Sequence, residues 1–139
     1  MEVPINWWGV ILAMVSSMVV GFIWYARPVF GNKWAKLVGL SPKQLEKGSF
    51  WAIPITMLVS LITAYVLAHV AYLSNSFFQN TFLHDTLTTA FWLWLGFTAA
   101  RLITHDQFEQ RSVKLTALNI THEFITIMIM GLVIGLFKP

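Results

Sequence analysis

The chain has no cysteine and few charges. Charged residues make up 11% of its 139 residues, against roughly 25% in soluble domains. The lack of cysteine excludes disulfides, thiolate metal sites and cysteine nucleophiles, and the lack of charge excludes an ordinary cytosolic enzyme. Hydrophobic residues make up 57% of the chain, which is too much apolar surface for a disordered protein. The composition therefore predicts an integral membrane protein.

Motifs for familiar catalytic chemistry are also missing. The sequence contains no G-x-S-x-G, no Walker loop and no dinucleotide fingerprint, each of which would indicate a nucleophile or a nucleotide site. We therefore predict no cofactor and assign no catalytic residue, and the sequence leans against an enzyme without excluding one. The net charge of +3 is too small to indicate nucleic acid as a partner.

Long segments with little or no charge dominate the chain. About 20 apolar residues cross the hydrocarbon core of a bilayer, so 139 residues leave room for four such segments and short connections. We expect an all-α, integral membrane four-helix bundle that forms one domain over residues 1–139. The predicted spans are 5–26, 49–73, 86–104 and 115–137. Residues 74–85 contain no Lys or Arg and are expected to form a loop.

The segment 27–48 between the first two spans holds five basic residues and a single acid. Within it Phe30, Trp34 and Leu37 recur at helical spacing, which is typical of a helix that lies in the membrane interface. Gly39 is expected to end this helix. The sequence thus predicts a short cytoplasmic interfacial helix between spans one and two.

A second helix start follows within the same segment. Ser41 has the position of an N-cap, Pro42 that of a first-turn residue and Gln44 that of the third residue of a capping box. We expect the helix that begins here to be short and to end at Gly48.

Basic residues also indicate the orientation of the chain, because Lys and Arg in short loops prefer the cytoplasm. The segments 27–48 and 101–114 hold eight of the nine basic residues. We therefore expect both chain ends to be extracytoplasmic and the protein to lie in the inner (cytoplasmic) membrane. Trp24, Tyr25 and Trp34 are expected at the membrane interface, where aromatic residues concentrate.

Small residues recur at spacings of four on the predicted spans. Helices in a bilayer associate where small side chains let their backbones approach, so these residues are candidates for helix packing. They are Gly9, Ala13, Ser17, Gly21, Gly96, Ala100, Gly131 and Gly135. The pattern fits packing within the chain, and it equally fits a homo-oligomer or a partner membrane protein.

Polar residues gather at the cytoplasmic ends of spans three and four. Arg101 and His105 lie on one face of span three, and Asn119, His122 and Glu123 lie on one face of span four. An unpaired charge at bilayer depth costs about 2.5–3.5 kcal/mol. We therefore expect Arg101 to pair with Glu123 or else to extend its guanidinium toward water. Glu123 itself is paired, protonated or solvated by a cavity.

A metal site is a weaker interpretation of the same residues. His105 and Glu109 are spaced i and i+4, and His122 could join them across the helical hairpin. The sequence lacks H-E-x-x-H, since Phe124, Ile125 and Thr126 follow His122-Glu123. A structural hydrogen-bonded network is the alternative that the residues favour.

Several residues together form a motif near the start of the chain. They are Gly21, Trp24-Tyr25, Pro28, Phe30-Gly31, Trp34 and Gly39-Leu40. The motif resembles the opening G-x-x-W-Y-S-P-x-x-F-G-x-x-W of an uncharacterised, mainly bacterial family of small four-span membrane proteins, with Ala26-Arg27 in place of Ser-Pro. The second half is similar through Gly96-Phe97, Phe108-Glu109-x-Arg111, Lys114-Leu115, Asn119, His122 and Met130-Gly131. The resemblance covers nearly the whole chain and implies a four-span membrane fold without an established activity.

Three classes of function remain open. The first is a protein that binds or conducts a small solute or ion through a polar vestibule on the cytoplasmic side. The second is a structural or accessory subunit of a larger membrane complex, docked through its small residues. The third is a membrane-embedded enzyme that uses His122 or Glu123 as acid or base. The lipid bilayer is a partner in all three.

Overall fold

The computed structural model describes residues 3–139, without the side chains at positions 42 and 49. Its α-helices are α1 (Trp7–Trp24), α2 (Asn32–Val38), α3 (Pro42–Phe78), α4 (Phe82–Leu93), α5 (Ala100–Phe108) and α6 (Val113–Leu136). Two π-helical segments, Arg27–Gly31 and Trp94–Ala99, precede α2 and α5. The described residues contain no β-strand, so the all-α prediction is confirmed.

Three helices are long and apolar enough to cross a membrane. They are Trp7–Trp24, Phe50–Phe78 and Val113–Leu136, and they overlap the first, second and fourth predicted spans. The predicted third span, 86–104, falls on α4, the second π-helical segment and α5. That crossing stays a prediction.

Four helices share one core. The last helix, α6, packs on α1 and α4, and both of these pack on α3. The core residues are Val10, Ala13, Ala64, Leu67, Ala68, Ala71, Phe82, Ala90, Ile127, Met130 and Ile134. All the core residues of α3 thus belong to its second half.

The two local signals between spans one and two are both present. Gly39 ends α2 in the left-handed conformation, with φ of 75°, where a side chain would be strained. Ser41 and Gln44 form the capping box at the start of α3. The expected stop at Gly48 is wrong, because α3 continues through Gly48 and Pro54 as one helix of 37 residues. A glycine inside a helix costs only about 1 kcal/mol, and proline is tolerated in apolar helices.

The connection between α3 and α4 is shorter than the predicted loop 74–85. Helix α3 runs to Phe78, and Gln79 ends it with φ of 57°. The buried carboxylate of Asp85 holds the turn by accepting hydrogen bonds from Asn75 Nδ2 at 2.8 Å and from Asn80 Nδ2 at 2.9 Å. These partners lie five and ten residues away, so local sequence patterns do not reveal the network.

This network predicts a pH-dependent loss of stability. The hydrogen bond from Asn75 is the main cause that lowers the pKa of Asp85 below its ordinary value of 3.8, and Asn80 and His84 add to it against the opposing effect of burial. Since the folded pKa lies below the unfolded one, the ionised carboxylate stabilises the fold fully above about pH 4, and this contribution is lost as the pH falls through the folded pKa.

We expect Asp85→Asn to lower the thermal midpoint at neutral pH and to reduce its fall on acidification. The comparison is a thermal melt of both proteins in mild detergent from neutral pH to about pH 3. An equal fall in wild type and variant would show that Asp85 does not carry the effect.

Several of the small residues lie at close helix contacts. A Cβ atom at Gly9 would lie 2.9 Å from Phe137 Cβ, and one at Gly131 would lie 3.0 Å from Ala90 Cβ. Ala13 and Ser17 are buried as well. Gly96 and Ala100 are exposed, and a Cβ atom at Gly96 would meet no heavy atom within 4 Å. Small residues on α1 and α6 therefore serve packing within the chain, whereas those of the third predicted span do not.

Candidate functional site

Two aromatic residues at the end of α1 enclose His122 of α6. The ring centroids of Tyr25 and His122 are 4.9 Å apart, and those of Trp24 and His122 are 5.9 Å apart. The imidazole also lies next to Gly21, where a Cβ atom would be 3.8 Å from His122 Nε2, an ordinary contact distance. The end of α1 therefore forms one wall of a site around His122.

The chain after α1 turns back onto this wall. Phe30 contacts Trp24 with ring centroids 4.4 Å apart, and Trp34 contacts Tyr25 with centroids 5.1 Å apart. Gly31 permits this return, because any Cβ atom there would overlap the carbonyl oxygen of Tyr25. Trp24, Tyr25 and Trp34, expected at the membrane interface, are half-buried by these contacts. The aromatic residues of the opening motif thus meet around one imidazole.

Polar atoms in this site lack hydrogen-bond partners. The Nε2 atom of His122 lies 3.4 Å from Thr126 Oγ1, and its Nδ1 atom lies 3.3 Å from Glu123 Oε1, an ion pair when the imidazole is protonated. Trp24 Nε1 and Asn119 Oδ1 are buried without a partner among the described residues. An unpaired buried polar group costs about 1–3 kcal/mol. Fold stability alone therefore does not account for Trp24 and Asn119.

Glu123 lies on the face of α6 that forms the core farther along the helix. Ile127, Met130 and Ile134 follow it at helical spacing and are buried. The Glu123 side chain, by contrast, is 44% exposed. The face of α6 that is covered near its end is therefore open at Glu123.

The two halves of α3 differ in burial. Residues from Ala64 to Ala71 supply core contacts, whereas residues 50–59 are all exposed. Residues 50–59 therefore add no buried side chain to the core, and the surface of α6 around Glu123 is only partly covered. We call the uncovered surface around Glu123, bordered by Tyr25, the inner groove. Tyr25 is close enough to Glu123 for an electrostatic interaction between them.

Of the two alternatives expected for Arg101, the ion pair with Glu123 is absent from the described residues, and the exposed side chain fits the other. Arg101 is exposed and makes no ion pair within residues 3–139, and His105 is exposed too. The segment Trp94–Ala99 is π-helical, so a residue count based on 3.6 per turn misplaces every residue after it. The structure therefore brings together Asn119, His122 and Glu123 but not the two residues of span three.

The weak candidates for a metal site are not brought together. The part of the chain that the structure describes has no group of three His, Asp or Glu side chains that could hold a metal ion. Glu109 instead pairs with Arg111, whose Nε atom lies 2.6 Å from Glu109 Oε2. The set of His105, Glu109 and His122 fails because α5 presents His105 to the exterior.

Sequence analysis missed the role of Asp106. This residue is buried, and its carboxylate accepts a hydrogen bond from Thr116 Oγ1 at 2.6 Å, which ties α5 to α6. The only available signal was its position beside His105 in a short charged connection. That signal does not distinguish an exposed acid from a buried one.

The comparisons with known proteins concern nearly the whole chain. A family model described as "Protein of unknown function (DUF1761)" matches residues 8–135. No curated protein and no solved structure matches the chain. The matched region contains both the wall formed by α1 and the residues of α6 around His122.

Proposed function

We propose that this chain, which belongs to the DUF1761 family, is a multi-pass membrane protein that binds a small solute or ion around His122 and Glu123 and carries or conducts it. The observation that carries the proposal is the pair of unpartnered buried atoms, Trp24 Nε1 and Asn119 Oδ1, together with the half-exposed carboxylate of Glu123 beside His122. Membrane interiors rarely hold ionisable groups without a functional reason.

The orientation of the site follows from the distribution of charge. Eight of the nine basic residues lie in the segments 27–48 and 101–114, so these segments are placed in the cytoplasm. The chain ends are then extracytoplasmic, and the site around His122 faces the cytoplasmic half of the inner membrane.

The test is native mass spectrometry of the protein, extracted gently from its own membrane at natural abundance. We expect a recurring small adduct on the wild-type chain that falls at least tenfold in Glu123→Gln. Glu109→Gln is the matched control, because Glu109 is exposed and pairs only with Arg111. A wild-type chain with no adduct in any charge state would contradict the proposal.

A second variant, His122→Phe, separates binding from folding. Phenylalanine keeps a planar ring beside Tyr25 and removes only the long contacts of the imidazole with Glu123 Oε1 at 3.3 Å and Thr126 Oγ1 at 3.4 Å, so the free energy of unfolding should change by no more than about 1 kcal/mol. The adduct should be lost all the same. A less stable but adduct-bearing variant would assign His122 to the fold rather than to binding.

An accessory subunit of a larger complex is the second candidate. The observation in its favour is that residues 50–59 of α3 are all exposed. Ala13 and Ser17 were candidates for contact with a partner protein. They are buried within the chain and do not form the surface that would bind it. A single copy held in a larger assembly, without an adduct, would favour this function.

A further inference from the structure

The inner groove lies on a helix that is apolar enough to cross a membrane. Residues 50–59 of α3 are all exposed and most of them are apolar, among them Ile55, Leu58 and Val59. A ligand that reaches Glu123 from the bilayer therefore meets a protein with exposed apolar surface.

The polar chemistry inside the groove favours a positive charge. Glu123 is the only acid in the three helices that can cross a membrane. Asn119 Oδ1, one turn away on α6, is an unpaired acceptor. The rings of Tyr25 and Trp24 lie beside His122, the neighbour of Glu123 in the chain, and aromatic faces attract organic cations. A carboxylate, a carbonyl oxygen and two aromatic rings together suit an ammonium or phosphonium group.

We propose that the inner groove binds amphiphilic cations, which enter laterally from the bilayer and place their charged group against Glu123. The proposal rests on the proposed function and names its class of substrate. A cation at bilayer depth is costly to the membrane unless it is paired, and so is the carboxylate of Glu123. Their contact relieves both costs, whereas an anionic amphiphile would be repelled by the same carboxylate.

Two probes of the same shape and opposite charge test the recognition of charge. Tetraphenylphosphonium and tetraphenylborate would be titrated by equilibrium dialysis against the full chain in phosphatidylcholine nanodiscs, with empty nanodiscs as the background. We expect saturable binding of tetraphenylphosphonium to the protein and no binding of tetraphenylborate above the background. Equal binding of both ions would overturn the proposal.

Variants of Glu123 locate the site. Glu123→Gln should weaken binding of tetraphenylphosphonium at least tenfold, whereas Glu123→Asp, which keeps the charge, should weaken it less. Glu109→Gln should bind as the wild type does. Monodisperse elution of each variant in size-exclusion chromatography keeps misfolding apart from loss of the site. Unchanged binding in a well-folded Glu123→Gln would overturn the proposal.

Tetramethylammonium, a hydrophilic cation, separates this inference from the proposed function. If it binds with dependence on Glu123 while tetraphenylphosphonium does not, the solute site stands and the lateral, amphiphilic class of substrate is wrong. The amphiphilic class is equally wrong if the native adduct is lost in Glu123→Gln but proves to be an anion or a neutral polar molecule. If neither cation binds and no adduct is found, both proposals fail.

Discussion

Gly135→Val is expected to lower the free energy of unfolding by about 3 kcal/mol, at the upper end of the usual cost of overpacking. A Cβ atom at Gly135 would lie 2.6 Å from Leu83 Cδ1 and 2.9 Å from Leu83 Cα. Leu83 Cδ1 is the end of a flexible side chain and can move, but Leu83 Cα is backbone, so α4 and α6 must separate. Helices in a bilayer depend on such close contact for their association.

Gly96→Val is the control for this effect. A Cβ atom at Gly96 would meet no heavy atom within 4 Å, so we expect a change within about 0.5 kcal/mol, as at other exposed positions. Both variants would be unfolded by titration with dodecyl sulfate in mixed micelles and followed by far-UV circular dichroism. Comparable losses at the two glycines would contradict the close contact of α4 with α6.

Leu67→Ala should lower the free energy of unfolding by about 2–3 kcal/mol. Leu67 is fully buried in the core shared by α1, α3, α4 and α6, and large-to-small substitutions in cores cost about 2–5 kcal/mol. We expect the lower part of this range, because lipid is as apolar as leucine and the unfolded helices stay in an apolar solvent. The remaining loss comes from contacts across the cavity.

Leu58→Ala changes the same residue type on the same helix, and Leu58 is 60% exposed. We expect a change within about 0.5 kcal/mol, measured in the same titration. The pair of variants tests whether α3 packs only through its second half. A loss at Leu58 equal to that at Leu67 would mean that the first half of α3 is covered, and the inner groove would then be closed.

The two halves of α3 therefore differ in packing. The second half packs in the core, while residues 50–59 of the first half are exposed and the face of α6 around Glu123 is uncovered. At 37 residues the helix is about 55 Å long, well beyond the roughly 30 Å hydrocarbon core. Such a helix tilts or projects beyond the core, which suits a segment that separates from its neighbours toward one side.

Local features of the protein were predictable from the sequence. The apolar segments predicted four spans, three of which overlap helices able to cross a membrane. Gly39 predicted the end of α2, and Ser41 with Gln44 predicted the start of α3. Each of these signals acts within one turn of helix, between residues three or four positions apart. The position of Asn119, His122 and Glu123 on one face of α6 was predictable for the same reason, because they are three or four residues apart on a helix.

The packing of the helices and the assembly of the site depend on contacts between residues far apart in the chain. In a bilayer the outer surface of a helix is as apolar as its packed face, so no pattern of hydrophobicity shows where α3 leaves the core. The π-helical turn before α5, which rotates Arg101 away from Glu123, leaves no local signal either. The sequence by itself determined where the long apolar helices lie, though not how far α3 extends, and that Glu123 lies within one of them. Only the packing of α1, α3 and α6 decided that Trp24 and Tyr25 enclose His122 and that Glu123 is uncovered.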